Sequence, residues 1–358
     1  MSPSLRVALF TGLLLVGCDA EPPLEEGFAG LGSAAAQFAQ VTPDRAFSFP
    51  ADHGAHPDYR IEWWYVTANL EDEQGRAWGV QWTLFRNALQ PGSTEPGWNN
   101  QNLWMGHAGL TGPDGHRSAE RFARGGVGQA GVETSPFKAW IDDWRFSSQS
   151  PANEGLSDLQ LLASGGSFEY QLFLASRSPL VLHGEQGFSR KSGQGQASYY
   201  YSQPFFQARG TIRLEGTTYR VKGQAWLDRE WSSQPLAPDQ QGWDWFSLHL
   251  DSGEKLMLFQ LRQTDGKHYR AGTWISAAGE PRMLGNQDVV LTPLQQSRVA
   301  GRQLPTRWSL RVPSEGFDIT STPVQENAWM DTRFPYWEGP VRFSGSHQGV
   351  GYLEMTGY

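Results

Sequence analysis

Two halves of this chain repeat one another at matched spacing, and that repeat limits the architecture more than any other feature. GTIRLEG at 210–216 and GPVRFSG at 339–345 share Gly210/Gly339, Arg213/Arg342 and Gly216/Gly345. A few residues on, GQAWLD (223–228) matches GVGYLE (349–354), which sets Asp228 against Glu354 and Trp226 against Tyr352. The openings match too. EWWYVTANL (62–70) resembles DWFSLHL (244–250), and the runs that follow are GVQWTLFRN (79–87) and KLMLFQLRQ (255–263). Internal similarity of this kind marks two copies of one structural unit. The copied segments alternate apolar and polar residues, which is the period of a strand and not of a helix.

Similar runs recur at 168–175 and 306–312, bounded by Gly, Pro, Asn, Asp or Ser. With 16 Trp, 19 Phe, 11 Tyr and 41 Gly, the chain is suited to sheets joined by tight turns. The expected fold class is all-β: two tandem lipocalin-like antiparallel β-barrels, a closure that removes exposed strand edges. The first is expected over 45–234 and the second over 242–358, with PLAPDQQG (235–242) joining them. The segment 285–300 is expected to hold a short helix.

The amino terminus predicts location. Val7 to Val16 is apolar but too short to span a bilayer. Leu15-Val16-Gly17-Cys18 follows, and Cys18 is the sole cysteine, so no intrachain disulfide can form. The pattern predicts a lipoprotein signal peptide over 1–17, lipidation at Cys18 and a tether over 18–44. Asp19 favours retention at the inner membrane, on the periplasmic side. The formal charge of −8 and the lack of a basic run argue against nucleic acid as a partner.

GQAWLDREW (223–231) carries the most chemistry. Read as a strand, it sends Trp226, Asp228 and Glu230 to one face and Leu227, Arg229 and Trp231 to the other. Carboxylates beside a tryptophan are costly to bury unless paired or protonated. Two readings stay open. One carboxyl, its pKa raised by apolar surroundings, acts as a catalytic acid or base, with Trp64, Trp226 and Trp245 able to stabilise a cation. Alternatively, Asp228 and Glu230 pair with Arg86, Arg213 or Arg229 and close an interface. Glu62 and Trp64 share a face of their strand, with Trp63 and Tyr65 opposite, so Glu62 is a further semi-buried acid whose expected partner is an arginine. His249 reads as a core residue.

The stretch FPADHGAHPDYRIEWWYVTANL (49–70), with Gln81, Thr83, Phe85 and Arg86, GQAWLDREW, GWDWF (242–246) and GYLEMTGY (351–358), resembles the AttH and carotenoid 1,2-hydratase group of lipocalin-like proteins. The resemblance runs from about residue 44 to the end. It implies two lipocalin-like domains, a hydrophobic small-molecule ligand such as an isoprenoid or lipid, and a setting beside an ABC transporter permease. Some relatives add water to a terminal alkene of an isoprenoid. The hydratase branch resembles Asp-His-Asn-Trp where this chain has Asp228-Arg229-Glu230-Trp231.

Asp228, Glu230 and His53 are thus the candidate catalytic residues. Glu62, Trp64, Gln81, Arg86 and His107 are the first candidates for ligand contact. Tyr200, Trp226, Trp231 and Trp245 complete that set. His53, His56 and Asp58 leave open a metal site that would need a ligand such as His107, but the loop-like surroundings favour hydrogen-bonding roles, and no metal or cofactor is expected. No G-x-S-x-G elbow, Walker A or dinucleotide fingerprint is present. Function is read first as binding of a greasy ligand in an aromatic cavity. Acid–base hydration or hydrolysis of that ligand is the alternative, and a structural docking role the third reading.

Overall fold

The structure, a computed structural model, describes Ala29 and residues 35–150 and 155–358. The apolar leader, Cys18, Asp19 and most of the tether lie outside the described residues. Regular structure is almost wholly strand, in two curled antiparallel sheets.

In the first sheet the opening strand Ile61–Asp72 is an interior strand, paired on both sides. On one side it pairs with Ala77–Ala88, then Asn102–Gly112 and Gly115–Arg124. On the other it pairs with Thr217–Ser232, then Ala197–Leu214, Phe168–Ala175 and four shorter strands. The sheet curls until Phe137–Ile141 packs against Ala77–Ala88, Asn102–Gly112 and Gly115–Arg124, nearly closing a barrel. The second sheet repeats this order. Gln240–Leu250 pairs with Lys255–Gln263 and then His268–Ile275 on one side, and with Gly349–Met355, Tyr336–Gly345, Phe317–Pro323 and Arg302–Val312 on the other. The duplication read from sequence is therefore a duplication of strand order.

Residue by residue, the repeat slips. Glu62 lies opposite Trp231 and Trp63 opposite Glu230, while Asp244 lies opposite Met355 and Trp245 opposite Glu354. With the two opening carboxylates equated, Glu354 corresponds to Glu230 and not to Asp228. A two-residue slip keeps every side chain on its face, so alternation alone cannot detect it. The helix expected within 285–300 is also corrected. Val290–Val299 is a strand at the end of the bonding path, with register shifts beside Pro293. Proline is tolerated on an edge strand, and Val289, Val290 and Thr292 favour extended backbone.

Each barrel is packed with its own side chains. Trp64, Val66, Trp78, Trp82, Trp144 and Phe146 belong to the first core, and Phe246, Leu248, Trp308 and Trp337 to the second. The other face of each opening strand turns toward the opposite barrel. Tyr65, Trp226, Trp245, Phe259 and Tyr352 form a third apolar cluster drawn from both sheets. Gly79 permits the close approach: a Cβ there would sit 2.5 Å from Pro340 of the second barrel.

Candidate active site

Where the outward faces meet, they leave a cavity of about 680 Å³ lined by both sheets. Trp63, Phe85, Trp243, Trp245, Phe259 and Phe334 give it aromatic walls. Asp228, Glu230 and Glu354 supply carboxylates, with Lys191, His107, Tyr200 and Tyr336 beside them. Strand alternation explains the composition: odd positions of the opening strand (Trp63, Tyr65) and even positions of its neighbour (Asp228, Glu230) share this face.

Asp228 is buried and bound entirely by neutral donors. The Tyr200 hydroxyl donates to Oδ2 at 2.7 Å, the Trp226 indole N–H donates to Oδ1 at 2.6 Å, and the Ser202 hydroxyl also donates to Oδ1. Three of roughly four acceptor sites are thus filled. Among the described residues no Lys or Arg pairs with it. Burial pushes its carboxyl up, the three hydrogen bonds pull it down, and the Glu230 charge adds to the rise, leaving it at about 7.

Glu354 has a similar setting. The Trp243 indole donates to it at 2.8 Å, and burial, against that hydrogen bond and with the charges of Asp228 and Glu230, raises it to about 8. Deeper between the barrels, Glu338 lies opposite Glu354 in register and accepts the Tyr65 hydroxyl at 2.8 Å. Burial and Glu354 hold it well above the usual carboxylate range. Its Oε2 has no partner among the described residues. Glu230 differs, for Lys191 Nζ stands 2.7 Å away and the Ser198 hydroxyl donates to it. The cavity therefore holds acids that stay protonated near neutrality beside one ion-paired carboxylate. Such a set can deliver a proton to a bound molecule and hold a cationic centre against tryptophan faces.

The expected arginine pairing occurs elsewhere. Arg86 and Arg229 both close on Glu62, and Arg86 also donates to Asn102 at 2.7 Å. His56 Nδ1 lies 3.1 Å from the same carboxylate. Burial alone would raise Glu62; the two guanidiniums and His56 override it and hold it well below its ordinary value. The Arg229 guanidinium stacks 3.8 Å above Trp64, on the barrel-interior side. The position where the hydratase branch resembles histidine thus faces away from the cavity, while Glu230, at the asparagine position, lines it. Arg213 is exposed.

Among the sequence candidates, the structure brings Asp228, Glu230, His107, Tyr200 and Trp245 together at the cavity. Trp226 stands behind Asp228 as a donor. Gln81 sits one layer back, donating to Thr83 at 2.5 Å and to the Tyr336 hydroxyl at 3.3 Å. Glu62, Trp64, Arg86 and Trp231 belong to the ion-paired cage and first core. His53 lies there too, bonded to the Tyr201 hydroxyl at 2.7 Å, and burial, with the Arg229 charge, lowers it to about 4. His53, His56 and His107 turn to separate partners: Tyr201, the Glu62–Asp52 pair, and Tyr336 with Glu120. Sequence reasoning missed Tyr65, Lys191, Trp243 and Glu338. Alternation already set Tyr65 on the face of Trp63; what it lacked was the second barrel covering that face.

The profile of the AttH-like family matches residues 40–358. A crystal structure assigned as an AttH from Nitrosomonas europaea is 35% identical, with a TM-score of 0.79, covering 90% of this chain and 100% of that one. Kievitone hydratase from Nectria haematococca is similar in fold at 16% identity and a TM-score of 0.68, covering 89% of this chain and 95% of its own. CghA with Sch210972 is similar at 12% identity and a TM-score of 0.56, covering 90% of this chain and 97% of its own. No curated protein matches the sequence.

Proposed function

From the premise that this chain belongs to the AttH-like family, we propose that it is an acid–base enzyme that binds a hydrophobic small molecule between its barrels and adds water to it. The observation that carries the reading is Asp228: buried, cavity-facing, without a cation, and half-protonated at about 7. A carrier has no need of such a group, because burying an acid without a counter-ion costs stability that greasy binding does not require. The same fold serves a hydratase in Nectria haematococca and holds Sch210972 in CghA.

The chemistry follows from the geometry. The protonated Asp228 carboxyl gives its proton to an alkene carbon of a bound isoprenoid. Trp63, Trp243 and Trp245 face the resulting cation, each contributing about 0.5–2 kcal/mol. Water attacks that centre, and the Asp228 carboxylate takes the proton released, so the net change is alkene plus water to alcohol. Tyr200, Ser202 and Trp226 hold the carboxyl in place throughout. The leader and Cys18 support a setting on the periplasmic side of a bacterial membrane for this activity.

The test is incubation with farnesol in deuterium oxide. The expected result is deuterium on carbon and a product heavier by one water, both lost in Asp228→Asn. Tight farnesol binding with no deuterium uptake would return the protein to the carrier reading.

A further inference from the structure

A greasy substrate must reach this cavity without crossing much water, and the cavity mouth has the composition of a surface that touches lipid. Nine large apolar residues are exposed among the described residues, and five gather here: Leu89, Trp98, Leu103, Phe122 and Val127. Three of them, Leu89, Leu103 and Phe122, also line the cavity. Trp98, 74% exposed, sits in the loop whose ends are joined by the Leu89 amide donating to the Gln101 carbonyl. That loop meets the Val127 turn where the Gly97 amide donates to the Gly126 carbonyl. Exposed Arg124 lies opposite Leu103, and exposed Arg333 lines the cavity. An apolar rim set with cations suits anionic headgroups above acyl chains.

The chain's own course names the occupant. Ala29 is in the cavity wall, so the chain is at this mouth at that residue. Ala29 lies eleven positions beyond Cys18 in the sequence. Fully extended, they span at most about 40 Å. A lipid on Cys18 would therefore hold this end of the molecule near the bilayer, with the apolar rim available to enter it.

We infer that the cavity mouth docks on the membrane bilayer and that the substrate is a membrane-dissolved amphiphile entering from it. This rests on the proposed reading for the fate of the substrate, but the docking itself does not depend on the chemistry.

The experiment uses the full chain in phosphatidylcholine/phosphatidylglycerol vesicles with brominated acyl chains. Tryptophan emission should be quenched, and Trp98→Phe should reduce that quenching at least twofold. Transfer of farnesol from donor vesicles should slow at least tenfold in Trp98→Ser combined with Val127→Ser, two residues outside the cavity wall. Asp228→Asn should lose deuterium incorporation while vesicle quenching is kept, which separates failure of docking from failure of the chemistry. Equal quenching in the unaltered chain and Trp98→Phe would overturn the inference. So would quenching that appears only when a membrane protein fraction is added, which would assign this face to a protein partner such as a transporter.

Discussion

Glu62 and Asp228 stand on paired strands, three register positions apart, and their acid chemistry is opposite. An odd offset puts them on opposite faces. Glu62 faces the barrel interior, where Arg86, Arg229 and His56 keep it ionised. Asp228 faces the second barrel, where tyrosine, serine and tryptophan bind it without charge and burial raises it to about 7. Both barrels build the first arrangement: Arg262 lies 2.6 Å from Asp244 at the start of the second opening strand, as Arg86 closes on Glu62. The duplicated ion pair is thus structural, and among the described residues the buried acids raised above their ordinary range, Asp228, Glu338 and Glu354, stand where the two units meet.

Breaking the cage should have the largest effect. Glu62→Gln leaves two buried guanidiniums without a counter-ion and should cost about 3–5 kcal/mol in denaturant unfolding. Unchanged stability would mean that the cage is not structural. Asp228→Asn should do the reverse, lowering deuterium incorporation about 10²–10⁴-fold while leaving the fold at least as stable at pH 7.

The two sites also predict opposite pH dependence. Asp228 is raised from 3.8 to about 7 and Glu354 from 4.5 to about 8, so the unfolded chain releases these protons first and their contribution to stability declines as pH rises through that window. Glu62 is lowered, so its contribution is complete above its unfolded value and is lost on acidification. Urea titrations from pH 2 to pH 8 should show that Asp228→Asn flattens the decline on the alkaline side and Glu62→Gln flattens the acid one below about pH 4.5; identical profiles in both variants would erase the distinction. Catalysis should fall as pH rises through about 7. The smallest expected effect is that of Glu230→Gln. It removes a like charge beside Asp228 and leaves Lys191 unpaired, so both changes favour ionised Asp228 and should move the activity midpoint to lower pH. A midpoint moved to higher pH would contradict the assigned coupling.

The sequence allowed the strand faces and the duplicated order to be read, because a period of two is written directly in residues such as Trp226, Asp228 and Glu230. It could not say which face is interior. Trp64 was grouped with Trp226 and Trp245, yet it stands opposite Arg229 on the barrel side, whereas Trp226 stands opposite Thr67 on the other. That choice depends on the second barrel, a contact distant in sequence. For the same reason Glu338 and Lys191 went unread: neither lies in a patterned acid motif, and each becomes notable only through Tyr65 or Glu230. His53 drew attention through its motif, but its loop folds into the cage.

The most direct measurement is an infrared titration of the carboxyl stretch in the unaltered chain, subtracted against Asp228→Asn. The account predicts a protonated carboxyl band belonging to Asp228 that disappears with a midpoint near pH 7. A band already gone in the ordinary aspartate range, around pH 4, would show that Asp228 is ionised at neutrality and cannot be the proton donor.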